Sequence, residues 1–309
     1  MKVKFSTLML GIATMLASCS QSDDLLQSEQ TNTSDGLKAV TITATLPEDG
    51  MITRSVKADK DDEVNRCLLQ VLVYDKNTDS YVPASGDLKD VKEMIPNGTN
   101  SYTLSGIYLN DSYNYKFLFW ADGGSGYTVT DLKNVTLTDI EAAPGIAWQG
   151  SALWSDQSKS ATISADLHHA VAKVTLMTTT DLDAGTPVSI NIPEVYTAFN
   201  VETGNVTGTA IGHGREYSTM TTNIDVTTEE PYKEVFSFYA LVAERLQYIV
   251  IANDRNSSNT GTTKWVEVPL GPNKHTTLQG DVRNLGLIDV SFTANIITDW
   301  GPGTDPTGF

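Results

Sequence analysis

The sequence predicts an all-β protein: two tandem β-sandwiches behind a leader and a polar tether. Short apolar-alternating segments recur at roughly 8–15-residue intervals, separated by Gly, Pro, Asn and Asp turn signals. No helical pattern of ordinary length lies between them, which excludes βαβ and helical-bundle plans. The composition agrees. The 309 residues are 40% hydrophobic, enough for a packed core, yet only 19% charged, with Thr, Ser, Asn and Gly abundant where a helical protein would carry Ala, Glu, Lys and Leu.

Residues 1–18 are set apart first. Lys2 and Lys4 form a positive n-region, and Phe5 to Leu16 an apolar stretch too short to remain as a membrane-spanning helix. It runs into Leu16-Ala17-Ser18-Cys19, which resembles the lipobox of bacterial lipoproteins. That resemblance implies cleavage before Cys19 and acylation of its thiol and new amino group, a multi-chain anchor to the outer membrane. Cys67 is then the only other cysteine, so no disulfide forms within the mature chain. It lies in the apolar run Cys67 to Val73 and reads as a small buried hydrophobe. Nothing after Cys19 is apolar for long enough to cross a membrane as a helix.

Residues 19–36, rich in Ser, Gln, Asp and Thr, read as a flexible tether. From Leu37 to Leu46 the chain alternates, with Val40, Ile42, Ala44 and Leu46 on one face and Thr41, Thr43 and Thr45 on the other: a strand with one buried face. Arg66–Tyr74 is apolar on both faces and belongs at the centre of a sheet. Ser101–Tyr108, Tyr113–Ala121, Ile146–Leu153 and Thr162–Leu167 continue the first series, with one short helical spacing at Leu88–Ile95. A second series starts at Ala170–Leu176. It runs through Val188–Ile192, Tyr196–Val201, Val206–Ala210, Glu234–Val242, Gln247–Ala252, Thr263–Val268 and Thr276–Leu278 to Leu285–Ile297. The sandwiches are placed at 37–165 and 166–309.

Charge narrows the function. Lys and Arg number 21 against 38 Asp and Glu, a net −17 that becomes −19 once Lys2 and Lys4 are removed. A nucleic-acid partner is excluded, because phosphate neutralisation needs clustered cations. Catalytic and metal signatures are equally thin. His168-His169 is the one histidine pair, and neighbours on a strand point to opposite faces, so the two cannot chelate one ion. Asp59-Lys60-Asp61-Asp62-Glu63 lacks the alternating oxygens and central glycine of a calcium loop, and Gly123-Gly124-Ser125-Gly126 has no Lys or helix behind it to cradle phosphate. No nucleophile elbow appears, and carboxylate pairs in so acidic a chain indicate nothing by themselves. A non-enzymatic protein without cofactor or metal is expected. The aromatics Tyr113, Tyr115, Phe117, Phe119 and Trp120, with Trp148 and Trp154, read as filling between two sheets; a sugar platform is the alternative. Trp265 by itself is uninformative.

The order of features resembles the fimbrillin family of the Bacteroidales, subunits of type V pili and related surface lipoproteins. The resemblance is carried by Cys19, Ile52-Thr53-Arg54-Ser55 behind the first strand, Val71-Leu72-Val73-Tyr74-Asp75, and Leu167-His168-His169-Ala170-Val171-Ala172-Lys173-Val174. Phe117-Leu118-Phe119-Trp120-Ala121-Asp122 and the closing Ile297-Thr298-Asp299-Trp300 fit the same pattern. His169 departs from it, standing where many relatives carry Arg. The resemblance implies two transthyretin-like sandwiches and a lipidated precursor at the cell surface. It also implies polymerisation with other fimbrial subunits by donor-strand exchange, after a trypsin-like protease cuts behind the first strand. Arg54 is the matching position, and Leu285–Ile297 or its tail the candidate donor. Alternatives are an anchor or tip subunit that keeps its first strand, and a surface lipoprotein binding host or glycan ligands.

Overall fold

The computed structural model describes residues 36–47, 64–139, 144–155, 159–217, 222–253, 263–287 and 289–298. The leader, Cys19, nearly all of the 19–36 tether, Arg54, the acidic run 59–63 and Asp299-Trp300 lie outside the described residues.

Twenty strands are formed among them. The first half of the sequence gives β1 (Leu37–Thr45), β2 (Arg66–Asp75), β3 (Ser80–Pro83), β4 (Lys92–Glu93), β5 (Ile95–Pro96), β6 (Ser101–Asn110), β7 (Tyr115–Asp122), β8 (Tyr127–Thr128), β9 (Val135–Leu137), β10 (Ala147–Trp154) and β11 (Thr162–Asp166). The second gives β12 (His168–His169), β13 (Ala172–Thr178), β14 (Val188–Asn200), β15 (Asn205–Tyr217), β16 (Lys233–Ala240), β17 (Arg245–Ala252), β18 (Thr263–Leu270), β19 (Lys274–Gly280) and β20 (Phe292–Thr298). The helical spacing at Leu88–Ile95 is not used. A 3₁₀ turn occupies Gly86–Leu88, and Lys92–Pro96 is extended, because the Met94 amide bonds the Cys67 carbonyl and draws that segment against β2. The separate strands expected at Val188–Ile192 and Tyr196–Val201 are one strand, β14, with register shifts at Ile192/Val195 and Tyr196/Ala198. Of Leu285–Ile297, only the part from Phe292 is strand.

The strands assemble into four sheets: β11-β1-β6-β5; β12-β10-β7-β2-β3 with β4 on β2; β16-β13-β19-β20; and β18-β17-β14-β9-β8 with β15 on β14. One plan occurs twice. The orders β11-β1-β6 and β10-β7-β2-β3 are repeated as β19-β13-β16 and β18-β17-β14-β15, and each copy has one parallel pair, β1 with β11 and β13 with β19. Inward residues of each sheet pair fuse into a core, since an apolar strand face must be covered by another layer. One core holds Ile42, Leu69, Phe117, Trp120 and Trp148; the other holds Val174, Leu176, Ile190, Ile249 and Leu278.

The halves are stitched together. β8 and β9 come from the first half of the sequence but extend the sheet of the second through Val135–Phe199 and Thr136–Ala198 pairings. Phe199, Val201, Tyr239 and Leu241 are buried in the first core. Glu202 reaches Lys133 at 2.8 Å, and its carbonyl accepts a hydrogen bond from Lys116.

Candidate functional site

β1 carries the geometry that bears most on function. Its alternation is realised as read: Val40, Ile42, Ala44 and Leu46 are buried at 3%, 0%, 0% and 4% exposure, while the threonines face outward. The strand lies inside its sheet. It pairs antiparallel with β6 from Leu37–Asn110 to Thr45–Ser101, with a bulge between Val40 and Ile42, and parallel with β11 from Thr41–Thr162 to Thr45–Asp166. β6 and β11 have no ladder between them, so β1 alone closes the sheet at that point. Its ends are tied by Asp111 N to Gly36 O, Leu46 N to Asn100 O and Leu167 N to Thr45 O.

Magnitudes show what the strand contributes. Burying a Val, Leu or Ile side chain stabilises by about 1.5–3 kcal/mol, so Val40, Ile42 and Leu46 together supply roughly 5–9 kcal/mol as an upper estimate. A whole domain is stable by only about 5–15 kcal/mol. Loss of β1 would therefore remove a large share of this sandwich's margin. β1 is the first described element, and it connects to β2 through the sequence stretch that carries Arg54. One cut at Arg54 would leave β1 held by hydrogen bonds and packing alone.

A buried charge clasp anchors the opposite sheet and escaped the sequence reading. Asp122, fully buried at the end of β7, accepts two bonds from Arg66, at 2.9 Å from Nε and 3.0 Å from Nη2. It also accepts from Trp120 Nε1 and from the Gly124 amide, which turns the chain toward β8. Arg66 spends a further bond on the Tyr127 carbonyl. Fifty-six residues separate the pair, so only strand register joins them. The one sequence hint is an acid closing the apolar run Phe117–Ala121.

The remaining singled-out residues serve structure. Cys67 is fully buried with its sulfur 3.7 Å from Met94 Sδ; burial, then the nearby Asp122 charge, pushes its thiol up to about 12, so no thiolate is available at neutral pH. His168 and His169 point to opposite sides of β12, the first exposed and the second buried. His169 lies against Trp148, ring centroids 5.1 Å apart, with Nδ1 3.4 Å from Asn273 Oδ1 of the second half. His275 bonds Thr175 elsewhere. Among the described residues no three His, Cys, Asp or Glu side chains converge as metal ligands.

Burial drives His169 down from 6.5 to about 3, offset in part by the Asn273 bond. The unfolded chain therefore binds a proton that the folded chain refuses between those values. Stability is whole above pH 6.5 and falls as the pH drops toward 3, by up to about 5 kcal/mol. His169→Gln is expected to flatten this part of the stability profile, measured by urea unfolding from pH 7 to 4. A slope unchanged from wild type would refute the assignment.

The sugar-platform alternative fails at its named residues, because Trp120, Trp148 and Trp154 are all fully buried. Tyr115, Phe117 and Phe119 are also interior, and only Tyr113 of that group is exposed. Trp265, which sequence could not place, is 64% exposed.

Comparison with known proteins adds a family. A model describing a family of unknown function (DUF6562) matches residues 32–299. The chain belongs to this family. No curated protein matches the chain significantly. Among solved structures it is similar to a candidate adhesin from Bacteroides thetaiotaomicron (14% identity, 87% of this chain and 98% of that one, TM-score 0.48). It is also similar to the tip fimbrial protein Mfa3 from Porphyromonas gingivalis (12%, 85% and 100%, 0.46) and to a fimbrial assembly protein from Parabacteroides distasonis (12%, 84% and 100%, 0.42).

Proposed function

We propose that this member of the DUF6562 family is a non-enzymatic, lipid-anchored cell-surface protein that polymerises as a fimbrial subunit by exchanging its first strand. The observation that carries the reading is the placement of β1 between β6 and β11, joined to the rest of the chain on the side of Arg54. Cys19 is the anchor and Arg54 the switch. Cleavage there would free β1, and the vacated slot would present two unpaired strand edges above an open core, which a strand from another subunit fills by β-augmentation. β20 fits the donor role best. It is the last described strand, is laddered among the described residues to β19 only, and alternates Phe292, Ala294 and Ile296 with Thr293 and Asn295.

Treatment of purified precursor with an Arg-specific protease tests this. The expected product begins at Ser55 and converts from monomer to ladder-forming oligomer, while Arg54→Ala stays whole and monomeric. If the Ser55 product forms and never oligomerises, strand exchange is refuted.

A further inference from the structure

The outer face of the β17–β18 ladder carries an aromatic platform that plays no part in either core. Leu246, Tyr248 and Trp265 are 62%, 55% and 64% exposed. The register sets Leu246 opposite Pro269, Tyr248 opposite Glu267 and Val250 opposite Trp265, so these side chains leave the sheet on one side. Tyr248 and Trp265 are diagonal neighbours, a relation within reach of large aromatic rings. Asn191 of β14 pairs with Val250 and is itself exposed, which extends the row to Asn191–Val250–Trp265 across three strands. Glu267 stands directly opposite Tyr248 across the ladder, which sets a carboxylate beside the phenol ring on the same face. Both rings stand on a continuous ladder, and a binding partner would therefore meet them already ordered.

We infer that this face is a carbohydrate-binding site, with Trp265 and Tyr248 stacking on the apolar faces of sugar rings while Asn191 and Glu267 hydrogen-bond their hydroxyls. Composition and charge select this ligand class. Among the described residues the apolar part comprises Leu246, Tyr248, Val250, Trp265 and Pro269, and the exposed residues in the same rows, Asn191 and Glu267, are polar. At the Leu246 end it stops at the ion pairs Arg245–Glu194 and Lys274–Glu244. Those pairs neutralise one another, so nothing there calls for an ionic ligand. A neutral polysaccharide, apolar on its ring faces and polar at its rims, matches a flat aromatic surface edged by an amide and a carboxylate. The site lies in the opposite sandwich from the β1 slot and does not depend on strand exchange.

Affinity electrophoresis of the full chain in gels containing soluble β-glucan, galactan or mannan tests the assignment, alongside Trp265→Ala, Tyr248→Ala and the double variant. Wild type should be retarded in at least one gel, with retardation reduced at least tenfold in Trp265→Ala and abolished in the double variant. The urea midpoints should be unchanged, since both side chains are exposed. The retarding polysaccharide should also quench tryptophan emission in wild type and not in Trp265→Ala. No retardation in any of the three gels, or equal retardation of wild type and double variant, would overturn the site. So would gel filtration showing a wild-type dimer that the double variant dissolves, which would make the face a protein interface.

Discussion

Replacing Asp122 by Ala is expected to lower the free energy of unfolding by about 3–5 kcal/mol, read as a fall in the urea midpoint at pH 7. The size follows from what the carboxylate satisfies. It takes both Arg66 nitrogens, the Trp120 indole N–H and the Gly124 amide, and it is itself fully buried. Without it, the Trp120 donor is left inside the core with its partner gone, a cost of about 1–3 kcal/mol for a neutral group and more for a charged one. Arg66, whose side chain is 24% exposed, loses its counter-charge as well. Arg66→Ala should be similarly costly, because it strands the buried carboxylate. The pair acts as a unit, so the double variant Arg66→Ala/Asp122→Ala should cost clearly less than the two single losses added. Strict additivity in that cycle would show that the two groups do not stabilise each other. The damage should also be local. Asp122 sets the Gly124 turn that leads into β8 and β9, and these strands join the sheet of the other half. Amide exchange at 127–137 should accelerate before the cores loosen.

What the sequence disclosed follows from the range of the forces involved. Strands whose burial is written in their own alternation were legible: β1 shows its buried face through Val40, Ile42, Ala44 and Leu46, and β2 its central position through an apolar run on both faces. Pieces of two or three residues such as β8, β9 and β12 carry no period of their own. They are strands because a distant partner lies alongside, as Trp148 does for His169 and Phe199 for Val135. Leu88–Ile95 misled for the same reason: four apolar residues at helical spacing are outweighed by one backbone bond to Cys67 and the burial of Met94. The aromatic residues divide on register. Trp120 and Trp265 are both tryptophans within strands, yet one is fully buried between two sheets and the other pairs with Val250 on an outer face. Neither that division nor the Arg66–Asp122 clasp can be read before the strands are aligned.

A chain beginning at Ser55, and so lacking β1, is expected to lose most of the stability of its first sandwich. The roughly 5–9 kcal/mol estimated for Val40, Ile42 and Leu46 is of the order of a domain's entire margin, and the ladders to β6 and β11 disappear with them. In the monomeric form, before any neighbour fills the slot, its first urea transition should move to near zero denaturant, while the second core, which takes no residue from β1, keeps its own. A synthetic peptide spanning Gly36–Pro47 should restore the transition when added in excess, as a ligand bound only by the folded state must. The same peptide with Ile42→Asp should fail, because it would place a charge where exposure is 0%. If the shortened chain unfolds at the same urea concentration as the full one, the slot needs no occupant and β1 is a passive strand. If only the matching peptide rescues, the energy lost with β1 is the energy available to a strand supplied by a neighbouring subunit. The bulge between Val40 and Ile42 then sets the register that such a strand has to meet.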